Sequence, residues 1–193
     1  MEPLAKDISE FFYQAIEEMV EAGVKVKFVG KYKYSGSFSD LPPEFTCKMT
    51  KEDPRWFYTF IHEYCHFLQW REGTIWNEES GFYIVLDDWL NGVETSDKMM
   101  AKAIQSAKAI EIDCEKRVVK LIKSKKLSVD LEDYIKRANA YVLFYNVIRE
   151  ERLWYKKPPY NVDEIVALMP SHFLKSYDKM PRRFAALVKQ HCF

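Results

Sequence analysis

Neither sign of charge predominates in this sequence: 29 lysines and arginines balance 29 aspartates and glutamates over 193 residues. Without a basic excess, neither nucleic acid nor an anionic membrane is an expected partner. A long apolar run is missing too. The longest, Ala140 to Ile148, contains Asn146 and is far too short to span a bilayer. The first residues, Met-Glu-Pro-Leu-Ala-Lys-Asp, lack the basic segment and apolar stretch of a secretory signal, so none is expected. The four cysteines, Cys47, Cys65, Cys114 and Cys192, show no paired spacing. They read as buried free thiols in a reducing cytoplasm rather than as disulfides. Internal repeats and low-complexity linkers are absent, and histidine is scarce, with four in the chain.

What is present is a globular composition, 48% hydrophobic and 16% aromatic, enough for a real core in a single domain over residues 1–193. The patterning predicts an α+β fold, mostly α. A first helix is expected from about Leu4 to Ala22, ending at Gly23. Val24, Val26 and Phe28 then alternate with lysines, Tyr32 and Tyr34 continue the alternation, and Phe45 to Met49 is a third strand candidate. Together they predict a small antiparallel sheet with Gly and Pro turns. Asp53 as N-cap and Pro54 at the first helical position open a helix that should run to Arg71 and stop at Gly73. Residues 74–96 are ambiguous, with an apolar centre from Phe82 to Leu86. Long helices follow over 96–125 and 131–154, and short ones near 162–168 and 181–189.

The helix expected after Pro54 carries His62-Glu63-Tyr64-Cys65-His66, an HExxH motif. Residues four apart lie on one face of a helix, so two imidazoles there can reach one zinc ion at about 2.0–2.1 Å. Glu63 sits beside that face, placed to act as base toward a water molecule on the metal. The stripe Arg55, Thr59, His62, Glu63, His66 and Gln69 is polar while nearly every other position is large and apolar. Such a stripe must face a cleft or be satisfied internally. The alternative is a pair of core histidines with an ion-paired glutamate.

A zinc site needs a third protein ligand. Gln69 and Glu72 stand where a metzincin would have glycine and histidine, which disfavours that class. On the next long helix, Met100, Ile104, Ala107, Glu111, Cys114, Val118 and Leu121 form one buried stripe with a carboxylate in its middle. A glutamate there is costly unless paired or bound to metal. Glu111 is therefore the expected third ligand. Glu115, one turn on, is the expected acceptor orienting a histidine through its other ring nitrogen. Asp113 shares a face with Ser106, Lys116, Arg117 and Lys120 and should point to solvent. A buried ion pair of Glu111 with Arg149 or Arg152 is the alternative, and Glu78, Glu79, Asp87, Asp88 and His172 compete as ligands. Tyr141 and Tyr145, or Tyr160 and His172, are oxyanion-donor candidates, though tyrosines at helical spacing are more often core or rim residues.

HEYCH followed by a helix carrying Glu111-Ile-Asp-Cys114-Glu115 resembles the gluzincin class of zinc peptidases, in which the third ligand is a glutamate on a second helix. A small residue three positions after that glutamate and an acidic or amide residue four after complete the likeness. The order is also similar to ImmA/IrrE-type metallopeptidases, with Glu115 where their Asn stands, and the block from Glu111 onward resembles uncharacterised HExxH proteins of bacteriophages. The resemblance covers about a third of the chain. It implies a zincin-like domain, a Zn2+ cofactor held by His62, His66 and Glu111, Glu63 as catalytic base, and a protein or peptide substrate. It also implies a cytoplasmic location, that of the bacterial host if the chain is phage-encoded. A protein of another class, a catalytically idle zinc-bound interaction module of phage origin, fits the same residues. The aromatic richness around Trp154, Tyr155 and Tyr160 would then serve an interface. A third, metal-free possibility is a helical protein with an accidental motif.

Overall fold

Three strands, eight α-helices and one 3-10 helix (Pro159–Asn161) account for the elements of the computed structural model, which describes residues 5–31, 34–49 and 55–193. The chain is α+β and mostly helical. It packs as two compact units, residues 1–76 with 114–129 and residues 77–113 with 130–193. One long helix, α5 (Asp97–Lys125), contributes to both.

In the first unit, α1 (Lys6–Glu21) is ended by Gly23, whose φ of +80° is the left-handed conformation that glycine adopts without steric cost. The Val24 N–H turns back to the Met19 carbonyl at 2.9 Å, satisfying a terminal acceptor. Strand β1 (Lys25–Val29) follows, then the hairpin of β2 (Gly36–Asp40) and β3 (Pro43–Lys48). The sheet order is β1-β3-β2. β2 pairs antiparallel with β3, but β1 runs parallel to β3, with Val26 opposite Phe45. The sheet is therefore mixed, not antiparallel as expected. Alternation along residues 24–28 reveals a strand but not the direction of its partner. The strand pattern also does not run on through Tyr34, which lies in a bend. Tyr32 is outside the described residues. The second strand is instead Gly-Ser-Phe-Ser-Asp, which has no β-branched residue to announce it.

Helix α2 (Trp56–Arg71) packs on this sheet through its aromatic side chains. Phe60 is fully buried and meets Phe12, Phe28 and Phe45, while Phe38 of β2 touches Phe67, Trp70 and Trp76. The expected start at Asp53 and Pro54, like Leu4 in the first helix, falls outside the described residues. The end at Gly73 agrees, again with positive φ. Glu18 of α1 accepts from the Tyr64 hydroxyl and from Arg71, tying α1 to the motif-bearing helix.

The ambiguous stretch after Gly73 is helical: α3 (Ile75–Glu79) and α4 (Gly81–Leu90). In the second unit α4, the first part of α5 and α6 (Leu131–Glu151) enclose a core of Leu86, Met100, Ile104, Leu143, Phe144 and Ile148, closed by α7 (Asp163–Val166) and α8 (Arg182–His191). Asp130 caps α6 by accepting from the Asp133 N–H at 3.0 Å. That helix stops at Glu151, three residues short of expectation, where Arg152 turns left-handed with φ +53°. The Arg152 guanidinium bonds the Trp89 carbonyl and lies over the Trp89 ring, holding that turn. Among the described residues no helix is long and apolar enough to cross a membrane. All four cysteines are free and buried, as the sequence indicated.

Candidate metal centre

The expected polar stripe of α2 exists in the first unit and is largely internal: Glu63, His66 and Gln69 are buried, and His62 is half-buried. The two motif imidazoles meet edge to face, centroids 4.6 Å apart, and their Nε2 atoms face each other at 3.0 Å. What the opposite nitrogens do decides how that contact is read. His62 Nδ1 lies 3.1 Å from Glu115 Oε1, and His66 Nδ1 lies 2.8 Å from Gln69 Oε1. Both are acceptor oxygens, and an imidazole that donates to its oxygen through Nδ1–H presents, when neutral, an Nε2 lone pair to the other histidine. Two lone pairs at that distance repel. A cation between them, a metal ion or a proton, removes the conflict. The donor set thus fits a metal on the Nε2 side, and ligating histidines bound through their second nitrogen to carboxylates or carbonyls are the usual arrangement.

His62, His66 and Cys114 each offer a donor atom within 4.8 Å of the others, a cluster able to hold a metal ion. The thiol is placed differently from the Nε2 pair, however. Cys114 Sγ is 3.6 Å from His62 Nδ1 and donates to the His62 carbonyl at 3.3 Å. It stands at the edge of the His62 ring that Glu115 also occupies, and supports the helix carrying the histidine. Burial and the neighbouring Cys114 push the thiol of Cys65 well above its usual range, so it stays protonated.

Glu63 is 8% exposed and lies against β2. Gly36 makes this approach feasible: a Cβ there would stand 2.6 Å from Thr59 Cγ2 and 2.8 Å from Glu63 Cγ. Burial, reinforced by the charge of Glu63, holds the Cys47 thiol far above its ordinary pKa. The indole of Trp76 packs on His66 with centroids 5.1 Å apart and donates to Asp40 Oδ2 at 3.2 Å, joining the site to the end of β2. Arg117 pairs with Glu72 at 2.6 Å, fixing the last part of α5 to the end of α2.

In the second unit, Glu111 is 3% exposed, in the middle of the apolar stripe as expected. Its Oε1 accepts three hydroxyls: Tyr83 at 2.8 Å, Tyr145 at 2.9 Å and Tyr141 at 3.1 Å. Burial and the Glu111 charge together drive the pKa of Tyr141 and of Tyr145 well above the normal phenol range, so both remain donors. Of the considered arginines, Arg149 is exposed, and Arg152 bonds Glu94 and the carbonyls of Trp89 and Val93. Of the competing acids, Glu79 pairs with Lys102 and Ser106, while Glu78, Asp87, Asp88 and His172 are exposed. The stripe ends on buried Ile122 rather than on Leu121. Asp113 is half-buried rather than solvated, and Ser106 is buried because its hydroxyl serves Glu79.

The roles of Gln69, Tyr83 and Gly36 escaped the sequence reading. Gln69 lies three residues after His66, a spacing that puts it on the same helical face, and could have been flagged. Nothing in the sequence pairs Tyr83 with Glu111 or Gly36 with Glu63. Comparison of the chain with protein-family models, with curated proteins and with solved structures finds no match.

Proposed function

We propose that the chain is a zinc-dependent metallopeptidase of zincin-like, gluzincin-type organisation. The observation that carries this reading is the pair of Nε2 atoms 3.0 Å apart, each imidazole held by an acceptor at Nδ1, with Glu63 next along the same helix. In this reading His62 and His66 are ligands. Glu111, one helical turn before Glu115 on α5, is the third, on the pattern of the gluzincin second helix. A zinc ion bound there supplies a Lewis acid and brings the pKa of a water molecule toward neutrality.

The residues of the chain do the rest. Glu63 takes a proton from the water whose oxygen adds to the scissile carbonyl carbon. It delivers a proton to the amide nitrogen as the C–N bond breaks. Glu115 and Gln69 keep both imidazoles in the tautomer that ligates. β2 is an edge strand of the described sheet and packs against Glu63 through Gly36, a position from which an extended peptide could add as a further strand. The test is zinc content and peptide hydrolysis of the wild type and of Glu63→Gln. Equal zinc in both, with cleavage by the wild type alone, is expected. Metal-free wild type after zinc supplementation would overturn the reading.

The burial of Glu63 and His66 favours a second reading, an idle zinc-bound interaction module. Zinc bound by both proteins and peptide cleaved by neither would select it.

A further inference from the structure

Gln69 and His62 meet the two nitrogens of the buried His66 ring, and the indole of Trp76 packs against the ring itself, with centroids 5.1 Å and planes 56° apart. The second torsion of a histidine is intrinsically broad, so the plane of the ring is set by what it touches. Partners at the nitrogens draw the polar edge toward them, whereas a wall against the ring restricts its tilt. The wall is itself held. Trp76 is 6% exposed, its N–H donates to Asp40 Oδ2 at 3.2 Å, and Phe38 meets it with centroids 5.4 Å apart. A buried indole N–H that lost its acceptor would be costly, so Asp40 keeps the indole in one orientation. Asp40 and Phe38 both belong to β2, and the strand that packs against Glu63 therefore also carries the support of His66.

We infer that Trp76 and Asp40 are positioning residues for His66: the indole sets the plane of the imidazole, and Asp40 sets the indole. That His66 ligates a metal rests on the reading under Proposed function, while the orientation of its ring does not. For a ligand the consequence is direct, since an imidazole nitrogen binds a cation along its lone pair, in the plane of the ring. A ring tilted out of the orientation it holds beside the indole would aim Nε2 past an ion shared with His62. The strand β2 thus serves the site at both ends. Gly36, at its start, gives Glu63 room, and Asp40, at its end, acts on His66 through Trp76. Loss of the Asp40 acceptor is expected to disturb the histidine without touching it.

The experiment is proton–carbon NMR of the histidine rings in the metal-free protein, with His66 assigned by its loss in His66→Gln, together with zinc affinity by chelator competition. An aromatic ring current displaces the signals of protons beside it, so the His66 ring protons of the wild type report on the indole. In Trp76→Leu they should move, and zinc should bind roughly 10-fold more weakly, the low end of what losing a partner of a ligating histidine costs. Asp40→Ala keeps the indole but releases it, and should move the same signals by a smaller amount. Asp40→Asn keeps an acceptor oxygen and should restore the wild-type positions, a rescue that a general loss of stability would not give. Should W76L fail to fold, the two Asp40 variants decide alone. His66 signals unmoved in W76L or in D40A would overturn the inference, and so would D40N matching D40A or equal zinc affinity of wild type and W76L. If the wild type takes up no zinc, the metallopeptidase reading fails, yet the ring signals of the metal-free proteins still decide the roles of Trp76 and Asp40.

Discussion

The histidine pair of the first unit and the glutamate of the second are buried polar groups satisfied by opposite means. Each imidazole has its Nδ1 against an acceptor oxygen, of Glu115 for His62 and of Gln69 for His66. Glu111 has one carboxylate oxygen placed on donors, the hydroxyls of Tyr83, Tyr141 and Tyr145. In both places the chemistry of the partner follows from what the group must not do. A neutral imidazole that donates through one nitrogen keeps a lone pair on the other, and a carboxylate given O–H donors has its oxygen satisfied where water is excluded. Any buried histidine or glutamate has to be satisfied in one of these ways, whatever its role.

The largest effect is expected at the imidazoles themselves. His62→Ala and His66→Ala should each lose stoichiometric zinc, measured by elemental analysis after dialysis, and Glu111→Ala should do the same. Zinc retained by E111A but lost by both histidine variants would separate the two regions and confine the metal to the first. Glu115→Gln keeps an acceptor but removes its charge, and its zinc affinity should fall by up to about 10–100-fold.

Next in size are the tyrosines. Tyr145→Phe keeps the buried ring and removes one donor to a charged acceptor, which should cost roughly 1.5–3 kcal/mol in urea unfolding. Tyr141→Phe should cost less, since its hydroxyl is the most distant of the three and its side chain is less buried. Equal stability of wild type and Y145F would mean that Glu111 does not depend on its hydroxyls. On the other side of the comparison, Gly36→Val forces a side chain against Thr59 and Glu63. It should cost about 1–3 kcal/mol as overpacking. Hydrolysis should fall further than that loss of stability explains, because Glu63 is what must move.

How much of this was legible follows from the range over which each signal acts. Helical periodicity placed α5 within a residue of its bounds and put Glu111 on a buried face, because a stripe at steps of three and four is written locally. The same logic anticipated Glu115 as an acceptor for one motif histidine. Strand pairing is not local. The alternation of Val24, Val26 and Phe28 announced β1 but could not say that β3 would lie parallel to it. β2 went unseen because its stability comes from Phe38 packing on Phe67, Trp70 and Trp76, contacts with residues far along the chain. Tyr83 was invisible as a partner of Glu111 for the same reason: 28 residues separate them, and no spacing rule spans that distance.

The smallest effect sharpens the comparison from within α5. Lys108, one turn before Glu111, is 4% exposed and is met by a charge, Asp178, at 3.2 Å, as well as by the Tyr177 carbonyl and Asn146. Hydrogen bonds from Gln105, Ser176 and Lys108, with the lysine's charge behind them, hold the Asp178 carboxyl at about 2 instead of 3.8. A carboxyl whose folded pKa is lowered contributes stability that is fully present above its unfolded value and is lost as the pH falls through the folded one. The wild type should therefore lose urea resistance between about pH 4 and pH 2 relative to Asp178→Asn, and the two should converge at the acid end. Because the Asp178 side chain is largely exposed, solvent screening keeps the effect small. A constant difference between the two proteins across that window would show that Lys108, like Glu111, is held by neutral partners rather than by charge.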